Sequence, residues 1–128
     1  MEHSKRQAQP PVTIFVIDDD GAVRNSLKFS LELEGFTVRT YAGGRALLEE
    51  EHLPAGGCVV VDQMMPDMSG LDVVEALRKR GVSMPAVLIV SSANNVLRQR
   101  ASATGVPIVE KPFFDNVLVE AIRKVLAQ

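Results

Sequence analysis

The chain has 128 residues, 46% of them hydrophobic, with no Trp, a single Cys and a formal net charge of −2. That length suits one domain with an aliphatic core, and so weak a charge gives no general pull toward nucleic acid. One thiol cannot form an internal disulfide, and no run reaches the roughly 18 apolar residues of a membrane span.

The N-terminus has no apolar signal core, so the protein reads as cytoplasmic. Residues 1–11 are polar, end in Pro10-Pro11, and read as a flexible tail ahead of a domain over 12–128. The first apolar run, Val12 to Ile17, stops at Asp18-Asp19-Asp20 and predicts a strand over about Thr13 to Ile17. A helix follows near Ala22 to Glu34, with Val23, Leu27, Leu31 and Glu34 on one stripe and Gly35 as its stop. Strand two, Thr37 to Thr40, has a polar side that suits a sheet edge. Helix two covers about Gly43 to Glu51.

Strand three, Cys58 to Val61, carries Asp62 at its tip and leaves Cys58 as a buried thiol. Pro66 and Gly70 then break the chain, and helix three runs Gly70 to Arg80 with Leu71, Val74 and Leu77 inward and Gly81 as its stop. Arg78-Lys79-Arg80 at its end suits the helix dipole. Strand four, Ala86 to Val90, stops at Ser91-Ser92. Helix four, Asn94 to Thr104, offers only Val96, Leu97, Ala101 and Ala103 as apolar positions and is expected to be short or loosely packed. Strand five, Val106 to Val109, leads into Glu110-Lys111-Pro112-Phe113. Helix five, Phe114 to Leu126, carries the stripe Val117, Leu118, Ala121, Ile122 and Val125.

Five strand–helix repeats predict an α/β fold, a five-stranded parallel sheet, doubly wound and flavodoxin-like, with helices on both faces. In such sheets ligands gather at the carboxyl ends of the strands. Asp18, Asp19, Asp62, Ser91 and Lys111 all fall there. Clustered carboxylates repel one another unless a cation intervenes, and oxygen-only donors select a hard one, Mg²⁺ in a cell. Such a site suits phosphoryl transfer, with an Asp carboxylate able to form an acyl phosphate, Ser91 able to donate to a phosphoryl oxygen and Lys111 able to neutralise another.

Ile17-Asp18-Asp19-Asp20, Asp62 followed by Met65-Pro66-Asp67-Met68-Ser69-Gly70, Ser91 after an apolar strand, and Lys111-Pro112-Phe113 together resemble the receiver domain of two-component response regulators. The resemblance covers about Val12 to Gln128. It implies that Asp62 takes a phosphoryl group from a histidine kinase or a phosphotransfer protein. It implies Asp19 as direct metal ligand, Asp18 acting through water, and the backbone carbonyl of Met64 as the third protein ligand of Mg²⁺. Ser91 matches the switch hydroxyl and Lys111 the phosphate-pairing lysine, with a cis bond to Pro112. An unknown downstream target is expected at the face of helix four, strand five and helix five. The chain would then be a signalling switch, not a turnover enzyme, binding neither nucleic acid nor membrane itself. It reads either as a stand-alone regulator or as a receiver cut from a larger protein. Three departures bear on output: the Ser91-to-Lys111 spacing is a residue or two short, Ile108 stands where the family often carries an aromatic ring, and Gln63 is an uncommon neighbour for the phosphoacceptor.

Other readings fit less well. Asp-nucleophile hydrolases resembling the haloacid dehalogenases need a second Asp two residues after the first, where this chain has Met64. Flavodoxin-like flavin binders carry a Ser/Thr/Gly phosphate loop where this chain has Asp18-Asp19-Asp20. Asp20 is the plainest helix cap of the three acids. Met64, Met65 and Met68 read as loop packing, and neither His3 nor His52 has a partner in sequence.

Overall fold

The computed structural model describes residues 12–54 and 56–128. The tail expected over residues 1–11 lies outside the described residues. Strands and helices alternate in the order β1 (Thr13–Ile17), α1 (Gly21–Leu33), β2 (Thr37–Tyr41), α2 (Gly44–Leu48), β3 (Gly57–Asp62), α3 (Gly70–Lys79), β4 (Ala86–Val90), α4 (Asn95–Thr104), β5 (Ile108–Glu110) and α5 (Asp115–Leu126). All four strand pairings are parallel, and the spatial order is β2-β1-β3-β4-β5. The expected doubly wound sheet is therefore present, with β2 at an edge.

The two faces follow from the strand period of two. Ile14, Val16, Cys58, Val60, Val87 and Ile89 point to one side, where Leu27 and Leu31 of α1 and Leu118 and Ile122 of α5 cover them. Phe15, Ile17, Val59, Val61, Leu88 and Val90 point to the other, against Leu47 of α2, Val73, Val74 and Leu77 of α3 and Ala101 of α4. Central strands buried on both faces explain why their sequences are unbroken apolar runs.

Several expectations need correction. α2 ends at Leu48, short of Glu51, because side chains take over its C-terminus: the Arg80 guanidinium donates to the carbonyls of Leu48 (2.7 Å) and Glu50 (3.0 Å). Arg80 thus serves the end of α2, while Arg78 and Lys79 lie in the last turn of α3. β5 begins at Ile108, two residues later than expected, since Val106 turns into the core beneath α4. Val117, placed on the inward stripe of α5, is 42% exposed, and Glu34 is exposed. α4 is not short, at ten residues, but Ala101 is its single buried residue. Ion pairs clasp it instead: Arg100 to Glu75 at 2.9 Å and to Asp72 at 3.6 Å, and Arg98 to Glu110 at 2.9 Å. The expected stops Gly35 and Gly81 both adopt positive φ, 96° and 83°, which a side chain would strain.

Candidate functional site

The strand order reverses between β1 and β3, and the crevice at that switch point is where this architecture gathers ligands. β1 ends into Asp18 and Asp19, while Asp62 is the last residue of β3 itself. Register brings the ends together, with Ile17 beside Val61 and Asp62 beside Ile89 of β4. An oxygen from each of Asp18, Asp19 and Asp62 lies within 4.8 Å of the other two. Asp18 is 3% and Asp62 6% exposed, and Asp19 is exposed.

Each neighbour of the cluster has a local cause. Asp18 Oδ1 accepts from the Asp20 amide at 2.8 Å, and the Asp18 carbonyl accepts from Arg24 Nη1 at 2.7 Å. Asp20 turns away and caps α1, its Oδ1 accepting from the amides of Ala22 (2.9 Å) and Val23 (3.3 Å). Lys111 follows β5, where its amide donates to the Val90 carbonyl at 2.8 Å, and its Nζ stands 3.3 Å from Asp62 Oδ1. The Lys111–Pro112 bond is cis, as the resemblance implies. Ser91 stands exposed at the end of β4 and shares with Gln63, Met64 and Leu97 the wall of a cavity of about 540 Å³. The crevice therefore joins three carboxylates and one ammonium directly, while Ser91 lines a neighbouring cavity at the end of the adjoining strand.

The electrostatics are those of a site short of positive charge. Burial pushes the Asp18 carboxyl above its ordinary range, against the lowering effect of the Asp20 amide and of Lys111. Burial, then the Asp18 charge, raises Asp62, while Lys111 draws it down. One lysine does not balance three carboxylates. Asp18 Oδ2 is buried and has no hydrogen-bond partner among the described residues. An acceptor left so is costly to desolvate, and it invites a ligand. Hard oxygen donors without His or Cys suit a divalent cation of the Mg²⁺ or Ca²⁺ class.

Sequence reasoning gave no structural role to Gln63 and Asp67 in the loop after Asp62. Gln63 Oε1 accepts from the Leu71 amide at 2.9 Å and so caps α3 together with Ser69, whose Oγ accepts from Asp72 at 3.1 Å. Its signal was a polar residue directly after a buried strand. The Asp67 carboxylate accepts from the amides of Arg45 (3.0 Å) and Met68 (2.9 Å), a partnership across 22 residues with no local signal. Met65 and Met68 pack against the core as expected, but the Met64 side chain is 73% exposed.

Residues 14–123 match the family model of the response regulator receiver domain. The chain belongs to that family. As a receiver domain it is part of two-component signalling, in which such domains act as switches. It is 34% identical over 113 residues to the transcriptional regulatory protein FixJ of Rhizobium meliloti, covering 88% of this chain and 55% of that protein. It is 35% identical over 118 residues to the C4-dicarboxylate transport transcriptional regulatory protein DctR of Rhodobacter capsulatus, covering 90% of this chain and 60% of that one. The receiver thus spans a little over half the length of these curated relatives. The crystal structure of FixJ-N superposes with a TM-score of 0.84 at 30% identity, over 94% of this receiver and 97% of that chain. Among the described residues, no helix of the receiver is long and apolar enough to cross a membrane.

Proposed function

We propose that this receiver domain takes a phosphoryl group on Asp62 from a histidine kinase or a phosphotransfer protein, in a Mg²⁺-dependent step. The observation that carries the reading is the cluster of buried Asp18 and Asp62 with exposed Asp19, with Lys111 Nζ 3.3 Å from Asp62 and one Asp18 oxygen unpartnered. In the transfer, the donor's phosphohistidine carries a proton on its other ring nitrogen, its N–P bond breaks, and an Asp62 carboxylate oxygen forms the new O–P bond. The products are an acyl phosphate and a neutral imidazole on the donor.

Asp19, Asp62 and the Met64 carbonyl would hold the metal, with Asp18 acting through water. Bound there, Mg²⁺ neutralises the carboxylates and the phosphoryl oxygens. The Asp62 carboxyl is raised by burial and by the Asp18 charge beside it, and added positive charge would relieve that repulsion. Lys111 supplies part of that charge and then pairs with a phosphoryl oxygen. Ser91, on the adjoining strand end, donates to another. The working unit is residues 12–128, in the cytoplasm. Its output leaves through the face of α4, β5 and α5, and the names of its relatives favour control of transcription.

Incubation with acetyl phosphate tests this without a kinase. Intact mass should show one phosphoryl adduct with Mg²⁺, and none with a chelator or in Asp62→Asn. Full labelling of Asp62→Asn at another residue overturns the assignment.

A further inference from the structure

The loop from Asp62 to Gly70 is fastened at two points. Near Asp62, the Gln63 amide donates to Ile89 (2.8 Å) and the Gln63 carbonyl accepts from Gly70 (3.1 Å). At the far end, Asp67 reaches across to the start of α2, where its Oδ2 accepts from the Arg45 amide at 3.0 Å. Between these points lies Met64, with its side chain in solvent.

The seat for Asp67 is shaped to fit. A Cβ on Gly43 would stand 2.7 Å from Asp67 Oδ2, and a Cβ on Gly44 would collide with Val73 and Met68. Gly43 is extended at φ −166°, a conformation open to any residue, so space and not backbone freedom calls for glycine there. The Arg45 amide, with those of Met68 and Gly44, holds the Asp67 carboxyl below the usual carboxylate range. The folded protein therefore binds the charged form of this side chain, although it sits on the surface.

We propose that Asp67 is a positioning residue: seated on the Gly43-Gly44 turn, it holds the far end of the β3–α3 loop and so presents the Met64 backbone to the phosphoryl and metal site. The inference rests on the proposed function for its metal. Its mechanical half stands alone. With Asp67 released, the stretch from Met64 to Met68 loses its polar anchor and keeps only the partial burial of Met65 and Met68. A ligand supplied by that stretch must then be ordered when the ion binds, which costs affinity.

The test uses the whole chain and three variants, each checked for an intact fold by circular dichroism melts. Asp67→Ala removes the carboxylate. Gly43→Ala leaves Asp67 in place but fills its seat. Asp67→Asn keeps an acceptor oxygen and serves as the conservative rescue. Hydrogen exchange of residues 64–69 in metal-free protein should quicken in Asp67→Ala and Gly43→Ala and stay near wild type in Asp67→Asn. Mg²⁺ titrated by calorimetry should bind roughly tenfold more weakly to the first two, the lower end for outer partners of a metal site. Unchanged exchange, or quickened exchange with unchanged Mg²⁺ affinity, overturns the positioning role. If wild type binds no Mg²⁺, the proposed function falls instead, and loop exchange alone then decides whether Asp67 holds the loop.

Discussion

Lys111 Nζ lies 3.3 Å from Asp62 Oδ1, yet the ammonium is partly exposed while the carboxylate is almost wholly buried. The pair spans two strands that are not neighbours, since β4 lies between β3 and β5. The lysine reaches over the end of β4 to supply charge that the crevice otherwise lacks. Lys111→Met should therefore raise the Asp62 carboxyl further, measured by carbon NMR titration of metal-free protein. An unchanged value would mean that the contact is not populated in solution.

The same crowding sets a pH dependence. Asp18 and Asp62 both titrate above their ordinary values in the folded protein. Their stabilising contribution is thus fully present below the unfolded carboxyl value and is lost as pH rises through the folded one. Each unit of upward shift corresponds to about 1.4 kcal/mol lost by neutral pH. In a chelator, Asp62→Asn should be more stable than wild type, with a gap that widens from acid to neutral pH in urea melts. Mg²⁺ should narrow that gap by stabilising wild type preferentially. A gap independent of pH would place the effect elsewhere.

Cys58 tests the packing of β3. Burial pushes its thiol up to about 12, so the thiolate that reacts with alkylating reagents is scarce. Native protein at mildly alkaline pH should label only as fast as it unfolds, and urea should accelerate labelling steeply. Rapid labelling in native buffer would contradict the buried placement.

Helix α4 should be the least protected helix of comparable length, because Ala101 alone is buried and its ties are surface ion pairs. Hydrogen exchange should show α4 opening before α3. A phosphoryl mimic such as beryllofluoride should alter protection across residues 95–104. Changes confined to the loops around Asp62 and Lys111 would put the output route elsewhere. Raised salt should loosen α4 more than α3, whose inner face is apolar.

Much of this was legible in the chain. The runs Ile14 to Ile17, Cys58 to Val61 and Ala86 to Val90 are buried on both faces, so they leave an uninterrupted apolar signal. Each ends abruptly in a polar residue because the next position meets the crevice. The helix stripes were legible where the core decides them, as for Leu27 and Leu31, and failed at the margins, as for Val117. Helix ends were less legible: α2 stops where Arg80, 32 residues away, supplies its capping donors.

The sequence by itself determined the order of elements, the fold class and the identity of the charged residues at strand ends, because burial period and turn chemistry are local properties. Only the tertiary structure decided how those residues meet. Parallel pairing of β1 with β3 draws Asp18 to Asp62 across 44 positions of the sequence. Packing leaves one oxygen of Asp18 unpartnered, swings Lys111 over the end of β4, and seats Asp67 on Gly43. Those relations depend on distances that close only when the core has formed, and no stretch of sequence short enough to read as a pattern contains them.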